Sequence, residues 1–213
     1  MNIIFTVKQF CSNNMHVIAG LIFFCIQIFI FAINFQAEDK SFYYWFCNHI
    51  PILLSLAFFT KQYQIVKGLI SVGLISQLLW IIDLSLGYFE IILFGFTSYV
   101  FELESLLSVV SILFIHVFST LLALMFTIHI QPTRKSLYVS FIYLILLQII
   151  TLTLTPEFEN INCVYEICGV ESLTPPFFSL LWSILTFIVM IIPAFFIQIG
   201  IFKLYEKYMQ NLK

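Results

Sequence analysis

Apolar residues fill six stretches of the chain, His16 to Phe35, Tyr43 to Thr60, Ile65 to Leu86, Leu106 to Ile130, Leu137 to Thr155 and Phe177 to Gly200, with short polar segments between them. A helix that crosses the hydrocarbon core needs about 20 such residues, whereas a core helix of a water-soluble protein rarely needs more than about 14. All six are expected to span. The second run is the least apolar, because Asn48, His49 and Pro51 sit near its start. The first could be mistaken for a secretory leader, but it is too long for that and lacks a small-x-small cleavage site.

A further apolar stretch, Tyr88 to Phe101, raises the count to seven if it also crosses. The charges decide against that. With six spans the inside segments hold Lys8, Lys61, Lys67, Arg134, Lys135, Lys203, Lys207 and Lys213, and the outside loops hold only Lys40. The acidic residues mirror this: Glu38, Asp39, Glu90, Glu102, Glu104, Glu157, Glu159, Glu166 and Glu171 fall outside and only Glu206 inside. A seventh helix would place Arg134 and Lys135 outside and discard the positive-inside pattern. Residues 88 to 101 therefore read as an interfacial or re-entrant piece. Tyr43, Tyr44 and Trp45 at one end, and Tyr205 and Tyr208 at the other, have the character of interfacial anchors.

Composition agrees. The chain is 62% hydrophobic and 9% charged, with a mean hydropathy of +1.05, too little polar surface for a soluble globule of 213 residues. The expected fold is all-α: one polytopic bundle of six transmembrane helices with both termini cytoplasmic, in the plasma membrane. There is no room for a separate soluble domain, so any chemistry lies among the helices or in one outer loop.

Polar residues inside spans are the best pointers to chemistry, since each is unfavourable unless it faces another helix or water. At about 1.5 Å per residue, Cys47 and His49 lie roughly 6 to 10 Å below the outer end of the second span, and His116 roughly 15 Å deep in the fourth. Gln77 and Asp83 occupy the outer half of the third, and Gln148 and Thr151 that of the fifth; the inner half holds few such groups, so a polar cavity is expected to open outward. Ser76, Trp80, Asp83 and Gly87 recur at i, i+4, i+7 and i+11 and share one helix face. A carboxylate such as Asp83 can fix the tautomer of His116 or His49, and that imidazole can deprotonate Cys47. The plainer readings stand beside this one: Cys47 as a small apolar residue, His116 as an interhelical hydrogen-bonding group, Asn48, His49 and Pro51 as a helix break near the interface, and Asp83 reaching up to water.

The outer loop Pro156 to Pro176 holds Cys163 and Cys168, which in an oxidising compartment are most simply a disulfide. A metal site would need two more ligands, and Cys47 is an alternative bonding partner. Cys11 and Cys25 show no pattern. No phosphate-binding glycine loop, HExxH, GxSxG or pair of carboxylates on one helix occurs, and no basic patch for nucleic acid. The matched broken segments of an inverted-repeat transporter are absent too. No cofactor is implied, and the expected partner is membrane lipid.

The run Trp45-Phe46-Cys47-Asn48-His49-Ile50-Pro51, together with His116, resembles the layout of the YwaF-like six-helix integral membrane proteins, over roughly residues 42 to 135. That family has a helix-borne Cys and a later helix-borne His, and a eukaryotic relative is a phospholipid acyltransferase that uses the two as nucleophile and base. The resemblance implies those roles for Cys47 and His116. The chain resembles equally small prokaryotic membrane proteins, for which no activity is implied. Two functions follow as expectations: a lipid acyltransferase or hydrolase using Cys47 and His116, or a small transporter in which His49, Gln77, Asp83 and His116 line a solute or proton path. A structural subunit of a membrane complex is a third.

Overall fold

A computed structural model describes residues 14–35, 41–95, 97–103 and 105–212; Lys8, Cys11, Glu38, Asp39, Lys40, Glu104 and Lys213 lie outside the described residues. No strand occurs among those described. Six helices carry the fold: α1 Met15–Asn34, α2 Phe46–Phe59, α3 Tyr63–Gly87, α4 Leu106–Phe126, α5 Arg134–Leu154 and α6 Phe178–Asn211. Five are long and apolar enough to cross a membrane. The exception corrects an expectation. Residue 45 is extended, at φ −63° and ψ 127°, so α2 begins only at Phe46 and has 14 residues, short of the ~20 a full span takes. A one-turn 3₁₀ segment, Ser41–Tyr44, occupies the rest of the second apolar run.

Helix α3 is the axis of the bundle: 61% of its most apolar 18-residue stretch is buried, against 28% to 33% in the other four long helices. Around it, large apolar side chains point away from the protein. Leu21, Phe24, Ile28 and Phe31 form one exposed face of α1, and Ile142, Leu146 and Ile149 one of α5. A water-soluble chain does not leave such stripes open, so the bundle is that of a multi-pass membrane protein.

Small residues let the helices close on α3 and hydroxyls join them. Ser140 Oγ donates to Gly68 O at 2.9 Å, and a Cβ at Gly68 would lie 2.8 Å from Ser136 O. In α1 and α2, Ser55 Oγ donates to Gly20 O at 2.8 Å and Phe23 stacks on Phe58 at 5.6 Å. Gln27 bridges the break at Pro51, which lacks an N–H. Its Nε2 donates to Asn48 O at 2.9 Å and its Oε1 accepts from Ile52 N–H at 3.1 Å.

Two of the turns are made without glycine. Lys61, at φ 55°, closes α2: its N–H donates to Phe58 O and that of Gln62 to Ala57 O, the two bonds of a Schellman cap. Glu90, at φ 61°, ends α3 in the same way, with Glu90 N–H to Gly87 O and Ile91 N–H to Leu86 O. Residues 91–95 are irregular and Ser98–Phe101 make one helical turn, so this stretch forms no seventh crossing helix. Two long helices contain π turns, Phe114–Phe118 in α4 and Phe187–Ile191 in α6. Pro193 follows the second, a combination that bends helices. Helix α6 then runs on to Asn211, past the apolar run that ends at Gly200.

Candidate functional site

The ends of the bundle differ. At one, here the disulfide end, lie the α2 N-terminus, the α3 C-terminus and the 156–176 loop. The other, the hairpin end, carries the α2–α3 and α4–α5 turns.

At the disulfide end, Cys163 and Cys168 are bonded to each other, with sulfurs 2.02 Å apart. That excludes Cys47 as their partner, and it removes both thiolates from any metal site. The loop is a folded cap. Asn160 Oδ1 accepts from the N–H groups of Tyr165 and Glu166, both at 3.0 Å. Asn162, at φ 58°, is 5% exposed and turned into the bundle. Its Oδ1 accepts from Phe46 N–H at 2.8 Å, and its Nδ2 donates to Tyr44 O at 2.8 Å and Thr151 Oγ1 at 3.0 Å. It thus serves a free amide of the first turn of α2, where Trp45 has no oxygen to offer. Gly169, at φ 77°, packs where a Cβ would lie 2.7 Å from Phe94 O, which joins this loop to the one after α3.

The expected Cys-His-Asp relay is not assembled. Asp83 is buried, but its carboxylate is occupied: Oδ1 accepts from the N–H groups of Phe94 (2.8 Å) and Gly95 (3.2 Å), and Oδ2 from Thr97 N–H (3.0 Å) and Thr97 Oγ1 (2.7 Å). It organises the loop and neither orients an imidazole nor reaches up to water. In His49, Nε2 lies 2.6 Å from Tyr143 Oη and Nδ1 3.4 Å from Tyr43 O. A donating Nδ1–H and an accepting Nε2 satisfy both. His116, in the first π turn, stacks flat on Trp80 with centroids 4.4 Å apart and planes 11° apart. Cys47 is a buried free thiol, and among the described residues it is hydrogen-bonded to no imidazole. Gln77 Nε2 donates to Ile115 O at 3.3 Å, a carbonyl within that π turn, and Ser119 Oγ to Phe114 O at 2.8 Å. These polar groups repair helix ends and interruptions.

The hairpin end was expected to be poor in buried polar groups, and it is not. Lys67, inside α3, is 1% exposed. Beside it, Gln198 of α6 donates from Nε2 to Lys67 O (3.2 Å) and Ser71 Oγ (2.8 Å), while its buried Oε1 has no hydrogen-bond partner. Ser71 Oγ also donates to Lys67 O, at 3.1 Å. The Lys67 ammonium has neither a hydrogen bond nor an ion pair among the described residues. His129, in the turn after α4, is exposed. Desolvation, and secondly the charge of Lys67, hold its imidazole below the ordinary histidine value. Sequence reasoning counted Lys67 among surface charges; the missed signal was its place two residues inside an apolar run, as the only basic residue in any of the six.

One small cavity of about 90 Å³ lies at the Asp83 loop, lined by Gly87, Gly95, Thr97 and Phe101 among others. A larger one of about 560 Å³ lies between α5 and α6. Neither is lined by Cys47, His49 or His116. No family model matches the chain, and no curated protein and no solved structure matches it.

Proposed function

We propose that the protein is a small proton-coupled carrier of six spans with both termini cytoplasmic, in which Lys67 is the residue that gains and loses charge. The observation that carries this reading is a buried lysine in the central helix with no counter-charge. A lysine placed there for stability alone would be paired, because an unpaired buried ammonium is strongly unfavourable. An ionisable group in a span is a functional position by default. Burial without a partner lets the amine exchange its proton, and Gln198 and Ser71 are polar groups packed on the same turn of α3, bonded to the Lys67 carbonyl. His129 is exposed and feels the charge of Lys67.

The basic residues Lys61, Arg134 and Lys135 gather at the hairpin end, which supports a cytoplasmic placement of that end. The short α2 completes its crossing with the 3₁₀ segment before it, and it needs less length because Asn162 and Gln27 satisfy its backbone within the protein. Lipid chemistry by Cys47 and His116 is the competing reading, and no hydrogen bond between the two supports it.

The test is charge movement. On proteoliposomes adsorbed to a solid-supported membrane, a pH jump displaces charge in the wild type and in Cys47→Ser, and displaces none in Lys67→Met. Equal charge displacement by the wild type and Lys67→Met would remove Lys67 from the mechanism, and loss of activity in Cys47→Ser instead would favour the thiol.

A further inference from the structure

The large cavity belongs to neither polar cluster. It lies between α5 and α6, beside the point where Phe141 and Phe187 touch. Near the disulfide end Gln148 Nε2 of α5 donates to Ser179 O of α6, and on the hairpin side of that bond Phe141 lies against Phe187 at 5.0 Å. Beyond the π turn at Phe187–Ile191 and Pro193, α6 is fastened to α3 through Gln198, while α5 is fastened to α3 through Ser136 and Ser140. The groove of about 560 Å³ is lined by Leu137, Tyr138 and Phe141 of α5 and by Ile184, Phe187 and Ile188 of α6, at and just before the π turn, with Arg134 at its end.

Positions 134, 137, 138 and 141 recur at helical spacing, so they form one stripe of α5 running roughly 10 Å into the membrane from the guanidinium. Tyr138 is 66% exposed and Ile188 54%, so the groove is open on its lipid side. Arg134 makes no ion pair among the described residues. We infer that this groove is a binding site for an anionic glycerophospholipid of the cytoplasmic leaflet, its phosphate held by Arg134 and one acyl chain lying between α5 and α6. The chemistry is complementary at both ends: a planar guanidinium matches phosphate oxygens bidentately, and the apolar walls hold a chain in a concave seat. Basic pockets between helices on the cytoplasmic side suit such headgroups. An apolar helix of a second copy would fill the walls but leave Arg134 without a counter-charge.

The inference needs the hairpin end to be cytoplasmic and does not depend on Lys67. Its test is native mass spectrometry of the delipidated full chain, titrated with dioleoyl phosphatidylglycerol and separately with dioleoyl phosphatidylcholine. The wild type is expected to bind the anionic lipid about fivefold more tightly, the contribution of one basic side chain at an anionic surface. Arg134→Gln removes that preference, and Lys135→Gln leaves it in place. Ile188→Trp fills the groove and weakens both lipids while Arg134 is intact, a result that does not depend on the first variant folding well. Equal binding of the two lipids by the wild type overturns the proposal, as does a preference that survives Arg134→Gln. Displacement of the lipid by inorganic phosphate alone, or a stable dimer that binds no lipid, would show a bare anion site or a second copy instead and overturn it too.

Discussion

The two ends of the bundle hold buried polar side chains for opposite reasons. At the disulfide end Asp83 collects three amides and a hydroxyl of the loop after α3, Asn162 closes the first turn of α2, and His49 is bonded through both nitrogens, while the oxygens Gln77 Oε1 and Ser111 Oγ are left without a partner among the described residues. At the hairpin end Lys67, a residue buried as deeply, makes no hydrogen bond or ion pair with its ammonium among the described residues, and the Gln198 that bonds its carbonyl has an unpartnered buried oxygen. Buried polar groups that are fully satisfied specify a structure, whereas one left unsatisfied persists against stability and marks a site. Depth in the membrane does not separate the two ends; an ionisable side chain without a counter-charge does.

Breaking the disulfide end has the largest expected effect. Asp83→Ala strands three backbone N–H groups at once and should lower unfolding stability by about 3 kcal/mol or more, read as a fall in melting temperature in detergent. An unchanged melting temperature would show that the loop does not depend on the carboxylate. Asn162→Ala comes next, at about 2 kcal/mol, since it uncaps α2 and frees Thr151 and Tyr44. Gln27→Leu should lose a similar or slightly smaller amount, because Asn48 O and Ile52 N–H can partly pair with each other. A reduction of protection at Ile52 in hydrogen exchange checks it.

The smallest expected effect involves pH and sharpens the comparison at the other end. The folded state holds the His129 proton more weakly than the unfolded chain does, by desolvation first and by the Lys67 charge second. As pH falls through the ordinary histidine range the unfolded chain gains that proton first, so stability decreases there and is level above it. The slope is slight because His129 is exposed, and it should shrink in Lys67→Met and vanish in His129→Gln. A slope that survives His129→Gln would assign it to another group.

The apolar runs made the six helices legible, and the basic residues correctly kept residues 88 to 101 from being counted as another helix. The short α2 was hidden because Tyr43, Tyr44 and Trp45 read as span, although residue 45 is extended and the helix starts after it. The continuation of α6 was hidden for the converse reason: Lys203 and Lys207 end the apolar pattern but are good helix formers. Both π turns were invisible, since a one-residue shift in hydrogen bonding leaves composition unchanged. The disulfide was readable from Cys163 and Cys168 sharing one loop expected to face an oxidising compartment. The partners of Asp83 were not, because three of the four are backbone amides 11 to 14 residues on, and backbone amides have no letter in a sequence. Lys67 was visible as a letter but was assigned to the turn by its charge, when it stands within the helix.

The measurement that bears most directly on this contrast is the unfolding stability of Lys67→Met in a bilayer, taken beside that of Asp83→Ala. A methionine fills the space of the lysine stem without the unpaired ammonium, so the account predicts a variant as stable as the wild type or more so, and one that no longer moves charge on a pH jump. A loss of stability comparable to that of Asp83→Ala would mean that Lys67 holds the structure together, and would contradict the assignment of function to the hairpin end.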